Sequence, residues 1–174
     1  PQAAFRAVLC LALVVFLCVS FYVIRNVILS EKYFTTGLAL TEAGRRAQGD
    51  EYLQRAKTYS KWNPRISSIV HLVLAHNCSV WGEYDDALTE YRQALAVHPN
   101  SVNAILNMGF CYKRLKKYDD AEKYFKRFVE ICPDSPKVHN NLGAVYFHKK
   151  AYDKAIAHCK KAIALAADMK LYAT

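Results

Sequence analysis

The chain has 174 residues, a formal net charge of +9 and a hydrophobic fraction of 53%. The length allows one soluble domain of about 140 residues, which suffices for a stacked core. The six cysteines contain no CxxC pair, and no group of cysteines and histidines makes up a metal-ligand set. These features exclude a disulfide framework and a cysteine–histidine metal site. We expect buried free thiols, no metal and no cofactor.

The first predicted element is an apolar helix. Residues Ala7–Ile24 form an uncharged run between Arg6 and Arg25. At about 1.5 Å per residue the run reaches roughly 27 Å, close to the thickness of the hydrocarbon core of a bilayer. We therefore predict a transmembrane helix with a juxtamembrane segment at 4–30, and lipid around Ala7–Ile24. A cleaved signal peptide is the alternative, although no small-x-small cleavage site follows the run.

The flanks of this helix bear on topology. Basic residues follow the apolar run at Arg25, Lys32 and Arg45-Arg46. Because basic residues accumulate on the cytoplasmic side of membrane helices, this excess favours repeats that lie in the cytoplasm. The chain begins with Pro1 rather than methionine, which fits a fragment or a partly built chain better than a complete gene product and leaves open that further membrane segments precede it.

The next predicted element is a helical hairpin at 31–67. We predict one helix at Tyr33–Arg46, a turn at Gly49-Asp50, and a second helix at Glu51–Lys61 that ends near Pro64. Pro64 is one residue out of phase with the repeat described next. We interpret 31–67 as a degenerate first repeat that covers the apolar edge of the following unit.

The remainder of the chain is a repeat. The spacing between Pro99 and Pro133 equals the spacing between Gly109 and Gly143. A fixed period of this length in a helix-forming sequence predicts one supersecondary unit that is copied and stacked. The predicted units are Ser68–Ser101 (68–101), Val102–Ser135 (102–135) and Pro136–Met169 (136–169), followed by a tail at 170–174.

Each unit is predicted to contain two helices joined by a short turn. A small residue in the first helix, such as Gly109, lets the two helices approach closely, and an aromatic residue three positions later fills the space above it. Asp119 and its equivalents begin the second helix, where a carboxylate favours the positive end of the dipole. Pro133 ends that helix because proline disfavours helix in the residue before it. Ala167 replaces the proline in the last unit, so we expect the final helix to continue.

This pattern resembles the tetratricopeptide repeat (TPR) family over Ser68 to about Met169. The resemblance implies an all-α fold, a right-handed TPR superhelix (an α-solenoid of helix-turn-helix repeats), here preceded by one transmembrane helix. It also implies a concave groove that binds a partner protein or peptide. The residues that carry the resemblance in register are Gly109 and Gly143, Tyr112 and Tyr146, Ala87, Ala121 and Ala155, Tyr91 and Phe125, and Pro99 and Pro133.

In TPR arrays the first helices line this groove, with residues two, five, six, nine, twelve and thirteen of each unit facing it. We expect Asn107 and Asn141 to hold the backbone of an extended peptide, since a carboxamide both donates and accepts hydrogen bonds. Local hydrogen bonds along the groove are the alternative role for these two side chains. The residues assigned to the partner-binding groove are Asn103, Leu106, Asn107, Phe110, Lys113, Arg114, Lys137, Asn140, Asn141 and Phe147.

Charge is unevenly distributed along the repeats. The unit 68–101 has a net charge of −3, whereas residues 136–174 have a net charge of +5. A solvated helical surface explains such basic clusters, and contact with anionic lipid or an acidic partner is the alternative. We expect no nucleic acid partner, because no aromatic stacking platform is evident.

The sequence contains no catalytic motif. P-loop, GxSxG, HExxH and GxGxxG patterns are all missing, so we expect no enzymatic activity in this chain. The histidines His71 and His139 fall at one repeat position, where a side chain packs between neighbouring helices. We expect both to be structural.

Three functional hypotheses remain. The first is a membrane-anchored TPR scaffold that binds a partner in its groove, and the second is an accessory or assembly subunit of a membrane complex. The third follows from the order of elements, which resembles the carboxyl end of bacterial O-antigen ligase and polymerase-like proteins. In that case a glycan-transferring part lies before Pro1, and the repeats are its tail. This arrangement favours a bacterial inner membrane.

Overall fold

A computed structural model describes the backbone of residues 2–171 and the side chains of residues 9–168. Within the described residues the regular structure is helical throughout and contains no strand. The chain divides after Val70 into two compact units. The helices are α1 (Gln2–Glu42), α2 (Arg46–Tyr59), α3 (Pro64–Trp81), α4 (Tyr84–Val97), α5 (Val102–Arg114), α6 (Tyr118–Ile131), α7 (Pro136–His148) and α8 (Tyr152–Leu171), with one 3₁₀ turn at Ser60–Trp62.

The amino-terminal unit is built on α1, which is one continuous helix of 41 residues. At 1.5 Å per residue it is about 60 Å long, twice the thickness of a hydrocarbon core. Between Leu9 and Ile28 most of its large apolar side chains are exposed. Its carboxyl end packs against α2, where Gly37 is buried. The predicted apolar helix and the first helix of the predicted hairpin are therefore parts of a single element.

The helix limits predicted within 31–67 are wrong. The structure has α1 ending at Glu42 and α2 spanning Arg46–Tyr59, in place of helices at Tyr33–Arg46 and Glu51–Lys61. α1 ends four residues before the predicted limit, whereas α2 begins five residues and ends two residues before its predicted limits. The division of the chain into a membrane segment, a degenerate repeat and three regular repeats stays a prediction.

The turn predicted at Gly49-Asp50 is also wrong, because the turn lies at Gly44 and Gly49 lies within a helix. Gly44 makes the turn between α1 and α2, with a φ of 76° that disfavours other residues. Gly49 lies inside α2, where an added Cβ would collide with the side chain of Thr41 on α1. Gly49 therefore marks a close approach of two helices, and Gly44 marks the turn.

The carboxyl-terminal unit consists of packed helical hairpins, as the period predicts. α5 packs against α6 and α7 against α8, while α4 packs against α5 and α6 against α7. One hydrophobic core runs through these contacts. Its fully buried side chains include Leu88, Tyr91, Ile105, Met108, Phe125, Val138, Leu142 and Val145.

The glycines of the repeat let the two helices of a hairpin touch. Gly109 on α5 faces the ring of Phe125 on α6, and a Cβ at Gly109 would lie 2.6 Å from Cε1 of that ring. In the next hairpin Gly143 on α7 faces Cys159 on α8, and a Cβ at Gly143 would lie 2.6 Å from the sulfur. The close approach predicted from the spacing is present in both hairpins.

The turn after the first helix of each hairpin has the same backbone geometry. Gly82, Lys116 and Lys150 occupy the same position of successive repeats and have φ values of 85°, 59° and 61°. At the second of these turns the backbone N–H of Lys117 donates to the Tyr112 carbonyl at 2.9 Å. This bond satisfies a carbonyl that the end of the helix leaves free. Two lysines thus hold a conformation that glycine adopts more easily.

The ends of the second helices follow the prediction. α4 ends at Val97 and α6 ends at Ile131, each two residues before the proline of its repeat. α8 continues to Leu171, as expected from the alanine that replaces the last proline. The side chains of the predicted tail, residues 170–174, lie outside the described residues.

The cysteines are free thiols, but the prediction that they are buried is wrong for most of them. Only Cys111 is buried, and Cys78 and Cys132 are partly exposed. Cys10 and Cys18 are exposed because they lie on the bare apolar part of α1, and Cys159 is exposed on α8. Cys159 occupies the repeat position of Phe125, which is buried in the preceding hairpin, whereas Cys159 is exposed in the last described hairpin.

Candidate partner-binding groove

A cleft of about 450 Å³ lies between α3, α5 and α7 in the carboxyl-terminal unit. We call this cleft the groove. Its walls combine exposed apolar side chains, carboxamides and cations. The lining residues are His76, Ser79, Val80, Tyr84, Leu106, Asn107, Phe110, Arg114, Lys137 and Asn141.

Most of the residues assigned from the sequence lie at this groove, but three do not. Asn140 and Phe147 line a second cleft between α7 and α8, and Asn103 is exposed on α5 and lines neither cleft. Lys113 reaches the edge of the groove through a hydrogen bond to one of its lining residues. The six that line it are Leu106, Asn107, Phe110, Arg114, Lys137 and Asn141.

The groove residues assigned from the sequence omit four that line it: His76, Ser79, Val80 and Tyr84. His76 is residue nine of the unit that begins at Ser68, a position that the repeat rule places at the groove. Ser79 and Val80 are residues twelve and thirteen of the unit that begins at Ser68. The positional rule that selected the other residues therefore includes them. Tyr84 begins α4 and is outside that rule. Its signal in the sequence is the tyrosine that recurs at the same position of each repeat.

Asn141 holds a lysine at the edge of the groove. The Lys113 ammonium donates a hydrogen bond to Asn141 Oδ1 at 2.5 Å, and Asn141 Nδ2 donates to the Lys137 carbonyl at 2.9 Å. The ammonium also lies 5.4 Å from the centroid of the Phe110 ring. Burial and the neighbouring charge of Arg114 lower the pKa of Lys113. Both polar groups of Asn141 are therefore engaged locally, as in the alternative role considered for it.

Arg114 forms the opposite rim. Its Nε donates to the hydroxyl of Tyr84 at 2.9 Å, and its guanidinium carbon lies 5.7 Å from the centroid of the same ring. This pairing fixes the direction of a long side chain while its outer face stays exposed. A guanidinium held in this way presents its remaining N–H donors to a ligand at a lower entropic cost.

The floor of the groove covers a buried tyrosine. Tyr91 is 1% exposed, and burial raises the pKa of its hydroxyl. The side chains of Asn107 and Ser79 approach this hydroxyl, but no described group meets it in good hydrogen-bond geometry. Asn107, a partly exposed residue that lines the groove, thus lies between this hydroxyl and the groove.

Comparison with protein families identifies the repeat. The tetratricopeptide repeat family matches in two stretches, at residues 82–140 and 136–168. Together these stretches span half of the chain. The chain belongs to the TPR family. The resemblance inferred from the glycines, aromatics and prolines is therefore confirmed.

Solved TPR structures share this fold. MamA (residues 41 to the end) from Desulfovibrio magneticus RS-1 superposes with a TM-score of 0.72 at 20% identity, covering 79% of this chain and 75% of that one. A crystal structure of MamA superposes with a TM-score of 0.73 at 19% identity, covering 82% of this chain and 81% of that one. The structure of MamA MSR-1 superposes with a TM-score of 0.70 at 23% identity, covering 80% of this chain and 78% of that one. At these identities the likeness shows the TPR solenoid fold alone.

No curated protein sequence is significantly similar to this chain. The named structures are all of MamA, so the resemblance to O-antigen ligase tails stays a prediction.

The two equivalent histidines are buried in this TPR protein, as expected of structural residues. His71 is 8% exposed, and its Nδ1 lies 2.6 Å from Oε2 of Glu90. His139 is 2% exposed; its Nε2 lies 3.0 Å from the Pro133 carbonyl and its Nδ1 lies 3.0 Å from Nδ1 of His158. Burial and the neighbouring His139 lower the pKa of His158.

An ion-pair cluster joins α6 to α7 away from the groove. Glu122 pairs with Lys149 at 2.6 Å and with Lys126 at 2.6 Å, and it accepts a hydrogen bond from the Tyr146 hydroxyl at 2.9 Å. Burial acts to raise the pKa of Glu122. The hydrogen bonds from the two lysines and the tyrosine outweigh that effect and lower it to about 2.

We expect acid to destabilise the TPR array through Glu122. The unfolded side chain binds a proton near its ordinary pKa of 4.5, whereas the folded one stays ionised down to about 2. The stabilisation is therefore complete above pH 4.5 and is lost as the pH falls toward 2. Glu122→Gln should lower the free energy of unfolding at pH 7 and flatten its decline between pH 4.5 and 2, as measured by urea titration of the full chain in detergent.

The matched control is Glu130→Gln, which removes one charge from an exposed position of the same helix. Equal slopes of stability against pH in the parent and in Glu122→Gln would contradict the assignment.

Proposed function

We propose that this chain is a membrane-anchored TPR scaffold that captures an acidic, extended segment of a partner protein in the groove. In this role it serves as an accessory or assembly subunit of a membrane complex. The observation that supports the proposal is the composition of one cleft. It combines an exposed apolar surface with a partly exposed asparagine, Asn107, and several cations.

The charge of the groove supports an acidic ligand. Arg114 and Lys137 line it, and Lys113 is held at its edge by Asn141. No aspartate or glutamate is among its lining residues. Such a surface attracts carboxylates and steers their approach, while specificity comes from the close contacts.

The apolar residues of the groove supply contact area for the same ligand. Phe110 is 37% exposed and Val80 is 62% exposed, and both line the groove with Leu106. Large side chains in a partly desolvated cleft commonly carry most of the binding energy of an interface. An extended peptide would place alternate side chains on this surface and direct its backbone toward Asn107.

The membrane part of the proposal is based on α1. Its exposed apolar side chains run from Leu9 to Ile24, and Ile28 lies beyond the exposed Arg25. The distance from Leu9 to Ile28 is about 29 Å along the helix axis. This length matches a hydrocarbon core of about 30 Å. The described part, Leu9–Glu42, is long and apolar enough to cross a membrane. Tethering would raise the effective concentration of the groove toward membrane-bound partners.

We further propose that the TPR unit lies on the cytoplasmic face, at a bacterial inner membrane. Arg25 directly follows the uncharged run that ends at Ile24, and Lys32, Arg45 and Arg46 come after it. A basic excess marks the cytoplasmic side of a membrane helix. Protease digestion of sealed vesicles of known polarity tests this placement. Degradation of the repeats in inside-out vesicles alone is the expected result.

We expect the double substitution Asn107→Ala and Asn141→Ala to weaken partner capture at least tenfold without unfolding the array. The first change removes the carboxamide that faces the ligand, and the second releases Lys113 from its position. Each lost charge-assisted or buried hydrogen bond costs about 1–3 kcal/mol. Quantitative pull-down from detergent-solubilised membranes, with thermal unfolding measured in parallel, checks this.

The chain offers a matched control for this experiment. Asn103→Ala makes the same chemical change on α5, at an exposed position that lines neither the groove nor the second cleft between α7 and α8. The control should recover the same partners as the parent. If the Asn107 and Asn141 variant also recovers them in equal amount, the groove is not the binding site.

A further inference from the structure

A second cleft, of about 440 Å³, lies between α7 and α8. We call it the terminal slot. It is mainly apolar, and its larger side chains are strongly exposed: Phe147 by 60%, Ile156 by 54% and Ile163 by 70%. Its lining residues are Asn140, Gly143, Ala144, Phe147, His148, Ala155, Ile156, Cys159, Lys160 and Ile163.

The repeat itself shows what such a slot holds. In the preceding repeat the equivalents of Gly143, Ala155 and Cys159 are Gly109, Ala121 and Phe125, and these three are buried. α7 packs against both α5 and α6 there. The slot of that hairpin is therefore filled by the apolar face of an α-helix.

The hairpin before it repeats the arrangement more closely. Leu88 on α4 is the equivalent of Ile156, and it is 0% exposed. α5 packs against α4 and buries Ile105 and Met108 in the shared core. An isoleucine in the terminal slot that is 54% exposed thus occupies a position where an aliphatic side chain is elsewhere covered by a helix.

The charges around the slot distinguish between possible occupants. In the preceding repeat Lys126 pairs with Glu122 at 2.6 Å. Lys160 is the equivalent lysine, but Ile156 replaces the carboxylate four residues before it. Residues 136–174 have a net charge of +5, with Asp153 and Asp168 as their acidic residues. A second copy docked through this same face would bring like charges together. An acidic helix would complement Lys160, and no aspartate or glutamate is among the lining residues of the slot.

From these observations we infer that the terminal slot binds an amphipathic α-helix of a partner protein, with an apolar face spaced at i, i+4 and i+7 and acidic residues at its edge. This site is separate from the groove and takes a ligand of a different shape. The same scaffold then holds an extended segment at one place and a helix at another. Helix docking into an apolar cleft is a recurrent mode of recognition.

The test uses a helix that already fills such a slot. The probe is a fluorescent peptide with the sequence of α5, residues 102–114, carrying Cys111→Ala to prevent oxidation and Lys113→Glu with Arg114→Glu to make its edge acidic. A second peptide retains Lys113 and Arg114. Fluorescence anisotropy with the full chain in detergent should show saturable binding of the acidic peptide, with at least tenfold weaker binding of the basic one.

Variants of the full chain locate the binding. Ile156→Glu with Ile163→Glu should weaken the acidic peptide at least tenfold, and both positions are exposed enough to accept the change. Ile131→Glu, at a partly exposed isoleucine outside the slot, should bind as the parent does. So should the groove variant Asn107→Ala with Asn141→Ala. Circular dichroism confirms that each variant is folded.

Several results would overturn the inference. One is binding that survives the two glutamates in the slot, and another is equal affinity for the acidic and basic peptides. A third is the absence of saturable binding of either peptide up to about 1 mM, since a weaker affinity than this is very low. The fourth comes from light scattering of the parent chain. A dimer that the two glutamates in the slot dissociate would make the slot an interface between copies.

Discussion

The Phe125→Ala variant is expected to lose about 3–5 kcal/mol of unfolding free energy, the usual cost of removing a buried aromatic ring from a core. Phe125 is 0% exposed. Its ring lies against Gly109, which has no side chain to move into the space that the substitution creates. The same ring belongs to the core that α7 covers, so its loss weakens the contact within one hairpin and the contact between two.

Urea titration of the full chain in detergent, followed by circular dichroism, measures this loss. Because repeat arrays are stabilised by each unit and by its contacts with its neighbours, the transition should also broaden as the hairpins uncouple. A typical domain has only about 5–15 kcal/mol in total. The variant is thus expected to be partly unfolded near the growth temperature of a mesophile.

The control for this prediction is Phe147→Ala, which deletes the same side chain from a position that is 60% exposed. Surface substitutions of this kind usually change stability by less than about 0.5 kcal/mol. Equal urea midpoints for the two variants would show that the contact between Phe125 and Gly109 does not stabilise the array.

The carboxyl-terminal fold was predictable because its signals are repeated. A glycine, an aromatic and a proline that recur at one fixed period define the hairpins, the closest contact within each, and the ends of α4 and α6. The recurrence separates these residues from accidental ones. Even the continuation of α8 beyond the usual limit followed from one missing proline.

The amino-terminal hairpin was not predictable in detail because its signals occur once. Gly44 and Gly49 are both isolated in the sequence, and glycine serves equally well in a turn or in a close helix contact. Only the structure shows that Gly44 has the positive φ and that Gly49 faces Thr41. Nor did the sequence show that α1 continues without a break from the apolar run into this hairpin.

The groove was predictable by position but not by contact. The repeat rule selects residues that face one side of each first helix, and it treats every unit alike. It does not show that Phe147 belongs to a different cleft from Phe110. It also does not show that Lys113 bonds to Asn141, a residue 28 positions away. Such contacts depend on side-chain rotamers, which no spacing in the sequence encodes.

Two arginines in the apolar part of α1 are expected to abolish stable membrane integration. Val14 and Leu17 are 55% and 57% exposed, near the middle of the apolar surface. Each arginine at the centre of a membrane helix costs about 2.5–3.5 kcal/mol on the insertion scale, so Val14→Arg with Leu17→Arg costs about 5–7 kcal/mol. Carbonate extraction followed by flotation of the membranes should find the parent in the membrane fraction and the variant in the soluble fraction.

The control adds the same charge elsewhere on the amino-terminal unit. Gln54→Arg with Thr58→Arg places two arginines one turn apart on the exposed side of α2, and it should stay in the membrane fraction. This comparison separates the loss of an apolar surface from a general effect of added positive charge. A double-arginine α1 that still floats with the membranes would place the anchor elsewhere, and the proposed scaffold would then lose its tether while keeping its groove.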